Sequence, residues 1–323
     1  MRRLPAWLWI LLAVAALALV PVVITDAFFL RLYTEALMWI GLAITWDLVA
    51  GYTGYLNFGH GVSFGIGAYT VALLIMQAGW PFGPAAAAGG LAAGLLALVV
   101  GWPTLRLRGA YFAIGTWAFN RAVLQLALVL DFTGGPDGMR LPPILDPPFF
   151  AWVMLGVVGG TFLVLWLLLE QAPFGLKLKA IREDESGSLA IGLNPAILKL
   201  QAYVLSAVPV GVIGGIYAYW ITFIDPVSTL GDLITDQAVV MAIFGGLGTL
   251  IGPVIGAVLF FAFKTYFWAY LSDYQVLYLI ILGAAIAATV FFLPDGFWGT
   301  VARRWEGRRA LGKGLAVRDT KAS

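Results

Sequence analysis

The 323-residue chain contains no cysteine and one histidine, His60. Without cysteine there is no disulfide, no thiolate metal site and no cysteine nucleophile. A single histidine excludes a multi-histidine metal centre within the chain. Charge is scarce too: 11% of residues are Asp, Glu, Lys or Arg, against about 25% in soluble domains. No complete phosphate-binding loop of the Gly-x4-Gly-Lys-Ser/Thr type occurs, so the chain does not bind ATP by that route. No Ser/His/Asp set or pair of carboxylates stands in a catalytic arrangement, which argues against an enzyme.

What fills the chain instead is apolar: 61% of residues are hydrophobic. Stretches of spanning length are Trp7–Ile24, Leu32–Ala50, Leu56–Gln77, Pro84–Trp102, Ala110–Leu130, Phe149–Leu169, Leu200–Phe223, Leu233–Leu250, Gly252–Trp268 and Tyr274–Phe292. The expected fold is an all-α, polytopic transmembrane helix bundle of about ten spans, some broken by glycine. The run after Met1-Arg2-Arg3 is too long for a signal-peptide core and is read as a retained first span. With the N-terminus in the cytoplasm, 15 of the 19 basic residues fall on that side, so both termini are expected there. Residues 1–302 read as one permease-like domain and 303–323 as a basic cytoplasmic tail.

One long polar interruption, residues 173–199, divides the apolar sequence. Eight charges lie between Glu170 and Lys199. Placing all of them at a bilayer centre would cost roughly 20–28 kcal/mol, so the segment lies outside the hydrocarbon. It is also patterned. Leu176, Leu178, Ala180 and Ile181 are expected along one side of a short helix, and Gly192-Leu193-Asn194-Pro195 ends a second one. Carboxylates at 183–185 read as an exposed rim, where a lost ion pair costs only about 0–1 kcal/mol.

Gly51–Thr70 is glycine-rich around an Asn57-Phe58-Gly59-His60-Gly61 core. Gly61 and Gly65 share a helical face and allow close approach of a neighbour, while Asn57, Gly59 and His60 suit a broken helix lining a cavity. Tight packing with no ligand is an equal reading of the same letters. Gly245, Gly246 and Gly248 form a second break. Asp131–Pro148 and Thr222–Asp236 read as ordered outer segments.

Several of these pieces together resemble the permease subunits of branched-chain amino-acid ABC importers, in particular the longer of the two paired permeases. They are Gly51–Thr70, Leu107–Ala113, Phe132–Gly138, Pro173–Asn194 and Phe244–Gly256. Permeases of urea importers look similar over the same stretches; Gly134-Gly135-Pro136-Asp137-Gly138 favours amino acids. The resemblance implies that residues 180–192 form cytoplasmic coupling helices, with Ala180, Glu183, Asp184 and Gly192 contacting an ATPase. It implies a second homologous permease in a heterodimer, two ATP-binding subunits that carry the ATP, and an extracytoplasmic substrate-binding protein. No cofactor is expected in this chain, and its surroundings are the bilayer of the inner membrane, with no nucleic acid. The competing class is an ion-coupled secondary carrier using Asp47 or His60.

Overall fold

The computed structural model describes residues 6–143, 146–270, 283 and 296–299. The expected tenth span, Tyr274–Phe292, falls almost wholly outside the described residues, and the tail 303–323 does entirely. Among the described residues the chain is helical, with one small sheet. The helices are α1 (Ala6–Val23), α2 (Ala27–Thr53), α3 (His60–Ala78), α4 (Phe82–Thr104), α5 (Ala110–Val129) and α6 (Pro147–Trp166). After a π-helical turn at Leu167–Gln171 come α7 (Phe174–Glu183), α8 (Glu185–Ala190), α9 (Pro195–Ile221), α10 (Pro226–Leu230), α11 (Asp232–Gly245) and α12 (Ile251–Tyr270). Seven helical stretches among the described residues are long and apolar enough to cross a membrane.

Local chemistry sets the ends. Asp26 caps α2 by accepting from Phe28 N at 2.8 Å and Phe29 N at 3.2 Å. Asn194 caps α9 ahead of Pro195, and Asp225 and Ser228 form a capping box ahead of Pro226. Two expected spans start differently. Leu56–Phe58 is not helical: α2 runs on to Thr53 and α3 starts only at His60. The span expected from Leu233 begins earlier, as α10, and breaks at Gly231 before α11.

The bundle packs by small residues, as expected where lipid gives helices no hydrophobic reason to associate. α3, α4 and α9 form its tightest unit. A Cβ placed on Gly67 would lie 1.9 Å from Gly211 O, and one on Gly214 would lie 2.0 Å from Phe64 O. By contrast, Gly65 meets the Leu230 side chain and Gly61 the Thr235 hydroxyl rather than a bare helix backbone. Aromatic and aliphatic side chains of α2, α6, α9, α11 and α12, among them Trp39, Trp46, Phe150, Met154 and Ile213, fill a second core.

At the end of the bundle opposite residues 173–199, β1 (Met139–Arg140) pairs antiparallel with β2 (Phe223–Ile224). The turn leading into β1 needs its glycines: Gly134, Gly135 and Gly138 all have positive φ, and a Cβ on Gly138 would sit 2.4 Å from Ile224 O. This sheet ties the segment after α5 to the segment after α9, a pairing that two-residue strands give no periodicity to announce.

Candidate functional site

α7 and α8 form a compact pair at one end of the bundle. Leu178 and Ile181 are buried, as their spacing of three requires. Leu176, expected beside them, lies two residues from Leu178 and therefore on the opposite side, where it is 73% exposed. Leu189 and Ile191 on and after α8 are exposed as well. Three large apolar side chains thus stand in the open on the most charged segment of the described chain.

The candidate coupling residues take different roles. Asp184 caps α8, accepting from Ser186 N at 2.9 Å. Glu183 is exposed and, among the described residues, pairs with its neighbour Arg182, at 3.0 Å. Ala180 is half-buried on α7. Gly192 turns the chain at φ +85°, a left-handed conformation that favours glycine.

Two other residues hold the pair to the bundle. Arg182 Nη1 donates to Gly51 O at 2.7 Å, satisfying a carbonyl in the last turn of α2. The same guanidinium packs on Gly248, whose added Cβ would lie 2.6 Å from Nη1. Gly248 N in turn donates to the buried Asp47 carboxylate at 2.9 Å. Arg182 therefore joins the short helices to both glycine breaks.

Glu185 makes the second clasp. It accepts from Lys199 Nζ at 2.8 Å and from the Tyr55 hydroxyl at 2.6 Å, while Lys199 also reaches Tyr55 OH at 2.9 Å. The exposed-rim expectation for Glu185 is overturned. Lys199 is 3% exposed, so water cannot replace its partner if Glu185 is lost, while Glu185 itself is only half-buried. Burial would raise the Glu185 carboxyl, but the hydrogen bonds from Lys199 and Tyr55 and the charges of Lys199 and Arg108 outweigh it and hold it below the usual carboxylate range. A depressed value stabilises the fold above the unfolded pKa of about 4.3, and the gain is lost only as pH falls through the lower folded value. The clasp is thus expected to hold unchanged across about pH 6–8, checked by thermal unfolding of the purified protein against its Glu185→Gln variant.

Both clasps grip residues 51–55, which lead into the break. Trp46 Nε1 donates to Asn57 O at 2.7 Å, and His60 Nε2 lies 3.3 Å from Thr45 Oγ1. The chain has therefore climbed back beside α2 by about seven residues, or about 10 Å, before α3 begins. Non-helical backbone at that depth needs partners, and α5, α11 and the segment's own Asn57 supply them. Phe58 N donates to Thr116 Oγ1 at 3.1 Å, Gly59 N to Asn57 Oδ1 at 2.9 Å and Gly61 N to Thr235 Oγ1 at 2.9 Å. Gly65, one turn further, abuts α10. Gly245 and Gly246 end α11, and a Cβ on Gly245 would lie 1.9 Å from Gly252 O.

No local pattern in the sequence links Tyr55, Glu185 and Lys199, which come from three segments up to 144 residues apart, or Arg182 and Gly51; only Lys199, a cation near the start of an apolar helix, carried a signal. Among the described residues no cluster of metal-ligating side chains occurs. An apolar groove of about 830 Å³ between α4, α6 and α9 offers no charged group to a zwitterion.

A family model described as the branched-chain amino acid transport system / permease component matches residues 28–290. The high-affinity branched-chain amino acid transport system permease protein LivM of Escherichia coli K12 is 29% identical over 298 residues, covering 81% of this chain and 68% of that protein. The LivH permease protein of the same system in that organism is 23% identical, covering 80% and 90%. A probable LivM of Methanocaldococcus jannaschii is 26% identical, covering 72% and 80%. No solved structure matches the chain at a significant level.

Proposed function

The chain belongs to the branched-chain amino acid transport system permease components, and from that premise we propose how its charged loop and broken helices work. It is a multi-pass membrane subunit of an ABC importer, a transport component rather than an enzyme, and its relatives include both kinds of paired permease. In our reading it pairs with a second, homologous permease in the inner membrane, with both termini and residues 173–199 in the cytoplasm. Two ATP-binding subunits hold the ATP, and this chain holds no cofactor. An extracytoplasmic binding protein delivers a branched-chain amino acid at the β1–β2 end.

One observation carries the coupling role. Leu176, Leu189 and Ile191 are exposed on helices that are themselves clasped to residues 51–55. Exposed apolar side chains on a charged mount fit a groove in a soluble subunit. Motion of that subunit reaches α2 and the 54–59 break through Arg182 and Glu185, which bond directly to Gly51 O and to the Tyr55 hydroxyl. Ala180, Glu183, Asp184 and Gly192 shape and cap this mount. The backbone around Asn57, Gly59, His60, Gly61 and Gly65, with Gly245, Gly246 and Gly248, is the part that moves.

Ile191→Asp should release the ATP-binding subunit during purification while this chain stays in the membrane, since a charge in an apolar groove is left unpaired. Ala180→Trp should do the same by bulk. If both variants keep the ATPase at wild-type stoichiometry, the docking role fails. Orientation is checked separately by impermeant thiol labelling of the cysteine-free chain. Ser186→Cys should be protected in intact cells and Asp137→Cys should react; Asp137 is exposed, whereas the nearby Thr133 is buried.

A further inference from the structure

α5 is a spanning helix whose exposed face is apolar at both ends, with Ile114 and Trp117 at one and Leu126 and Val129 at the other, and polar between them at Arg121 and Gln125, beside the exposed Ala122. Arg121 lies eight residues from the last residue of α5, about 12 Å along the helix. Its side chain is 46% exposed and pairs with Asp232 at the start of α11, and its guanidinium sits 5.7 Å from the Trp117 ring centre. Asp236, one turn further along α11, is exposed on its own helix. The exposed face of α4, by comparison, carries Leu91, Leu95, Leu98 and Val99.

An exposed guanidinium, an exposed carboxylate at Asp236 and a half-buried one at Asp232 would cost about 2.5–3.5 kcal/mol each in hydrocarbon. They therefore face water or protein. A second feature behind them points to a polar ligand. Asn120, fully buried, donates to Leu230 O at 3.0 Å, yet its Oδ1 has no hydrogen-bond partner among the described residues. That oxygen lies 3.4 Å from where a Cβ on Gly61 would stand, beside the Thr235 hydroxyl. A buried, unpaired acceptor, an ion pair and the first turn of α3 thus meet at one level.

Building on the proposed importer role, we infer that the face shared by α5 and α11 is the wall of the aqueous path, and that Arg121 and Asp232 form a passing station for the zwitterionic head of an amino acid. Arg121 takes the α-carboxylate, a planar match for its fork. Asp232, with Asp236 in reach along the same helix, takes the α-ammonium. The resident ion pair replaces each lost partner as the substrate leaves, so passage requires no charge to stand unpaired. The second permease closes the other side of the path.

The test uses the whole transporter in proteoliposomes, with leucine and the binding protein as the probe. Single cysteines at Gln125, Ala122 and Leu95 are treated with a charged, water-soluble thiol reagent, and modification of this chain is read by mass shift. Gln125→Cys and Ala122→Cys should react at least tenfold faster than Leu95→Cys. In the same vesicles Arg121→Met should cut leucine uptake at least tenfold while binding-protein-stimulated ATP hydrolysis persists, and Arg121→Lys should recover part of it. Unreactive cysteines at 122 and 125 would mean a sealed or lipid-facing surface and overturn the inference. So would wild-type uptake by Arg121→Met. Failure of the importer reading itself looks different: the unmodified chain would then show no ATP-dependent uptake at all.

Discussion

Gly67→Ala is expected to prevent stable accumulation of the protein in the membrane. The added methyl group would stand 1.9 Å from Gly211 O and 2.5 Å from Gly211 Cα. No rotamer change relieves a clash between a Cβ and backbone, so α3 and α9 must separate. Overpacking a core typically costs about 1–3 kcal/mol and occasionally more. This site belongs at the upper end, because moving α9 also disturbs α4, whose Gly89 O lies 2.7 Å from the position of a Cβ on Gly211. Gly214→Ala should behave alike, for the same reason at Phe64 O. Gly159→Ala in α6 is the control: nothing lies within 4 Å of its added Cβ, and alanine is the better helix former by about 1 kcal/mol. Thermal unfolding in detergent, with membrane abundance measured beside it, should show Gly67→Ala lost and Gly159→Ala unchanged or slightly raised. Equal melting of Gly67→Ala and wild type would mean that the two helices are not in backbone contact.

Glu185→Gln is expected to be nearly as damaging, although only one oxygen is exchanged for nitrogen. The substitution leaves Lys199, 3% exposed, as a charge without its counter-ion. Breaking a buried pair from one side costs about 3–5 kcal/mol; retained solvent access at Glu185 places this case toward the lower figure. Lys199→Met is expected to cost less, since the carboxylate keeps the Tyr55 hydroxyl and part of its hydration. Combining Glu185→Gln with Lys199→Met should therefore recover much of the loss of Glu185→Gln alone. Stability and leucine uptake of the two singles and the double, compared as a cycle, decide the matter. Strict additivity would show that the pair is not coupled.

The contrast between these two sites explains how much the sequence could disclose. Spans, helix caps and glycine breaks depend on residues near one another in the chain, and they are readable. Asp26, Asn194 and Asp225 sit where caps were needed, and Pro195 and Pro226 follow them. The Asn57–Gly61 break was visible for the same reason, though not its depth. That depth follows from Trp46 and Thr116 reaching it, and neither side chain differs in type from its membrane neighbours. Glu185 looked like one carboxylate among three because nothing local tells a solvated acid from one facing a buried lysine 14 residues on. The Gly67–Gly211 contact was hidden in a chain of 39 glycines, most of them equally plausible as packing sites.

In the proposed cycle α7 and α8 drive the 54–59 break through Arg182 and Glu185 rather than merely anchoring a partner. The most direct measurement is the number of leucine molecules taken up per ATP hydrolysed by the reconstituted transporter carrying Arg182→Met. This variant keeps the exposed apolar patch of Leu176, Leu189 and Ile191, so the ATP-binding subunits should still dock and hydrolyse ATP. It removes the donor to Gly51 O and the contact with Gly248. Leucine taken up per ATP is expected to fall at least fivefold. An unchanged ratio in Arg182→Met, with the ATPase still bound, would contradict the account.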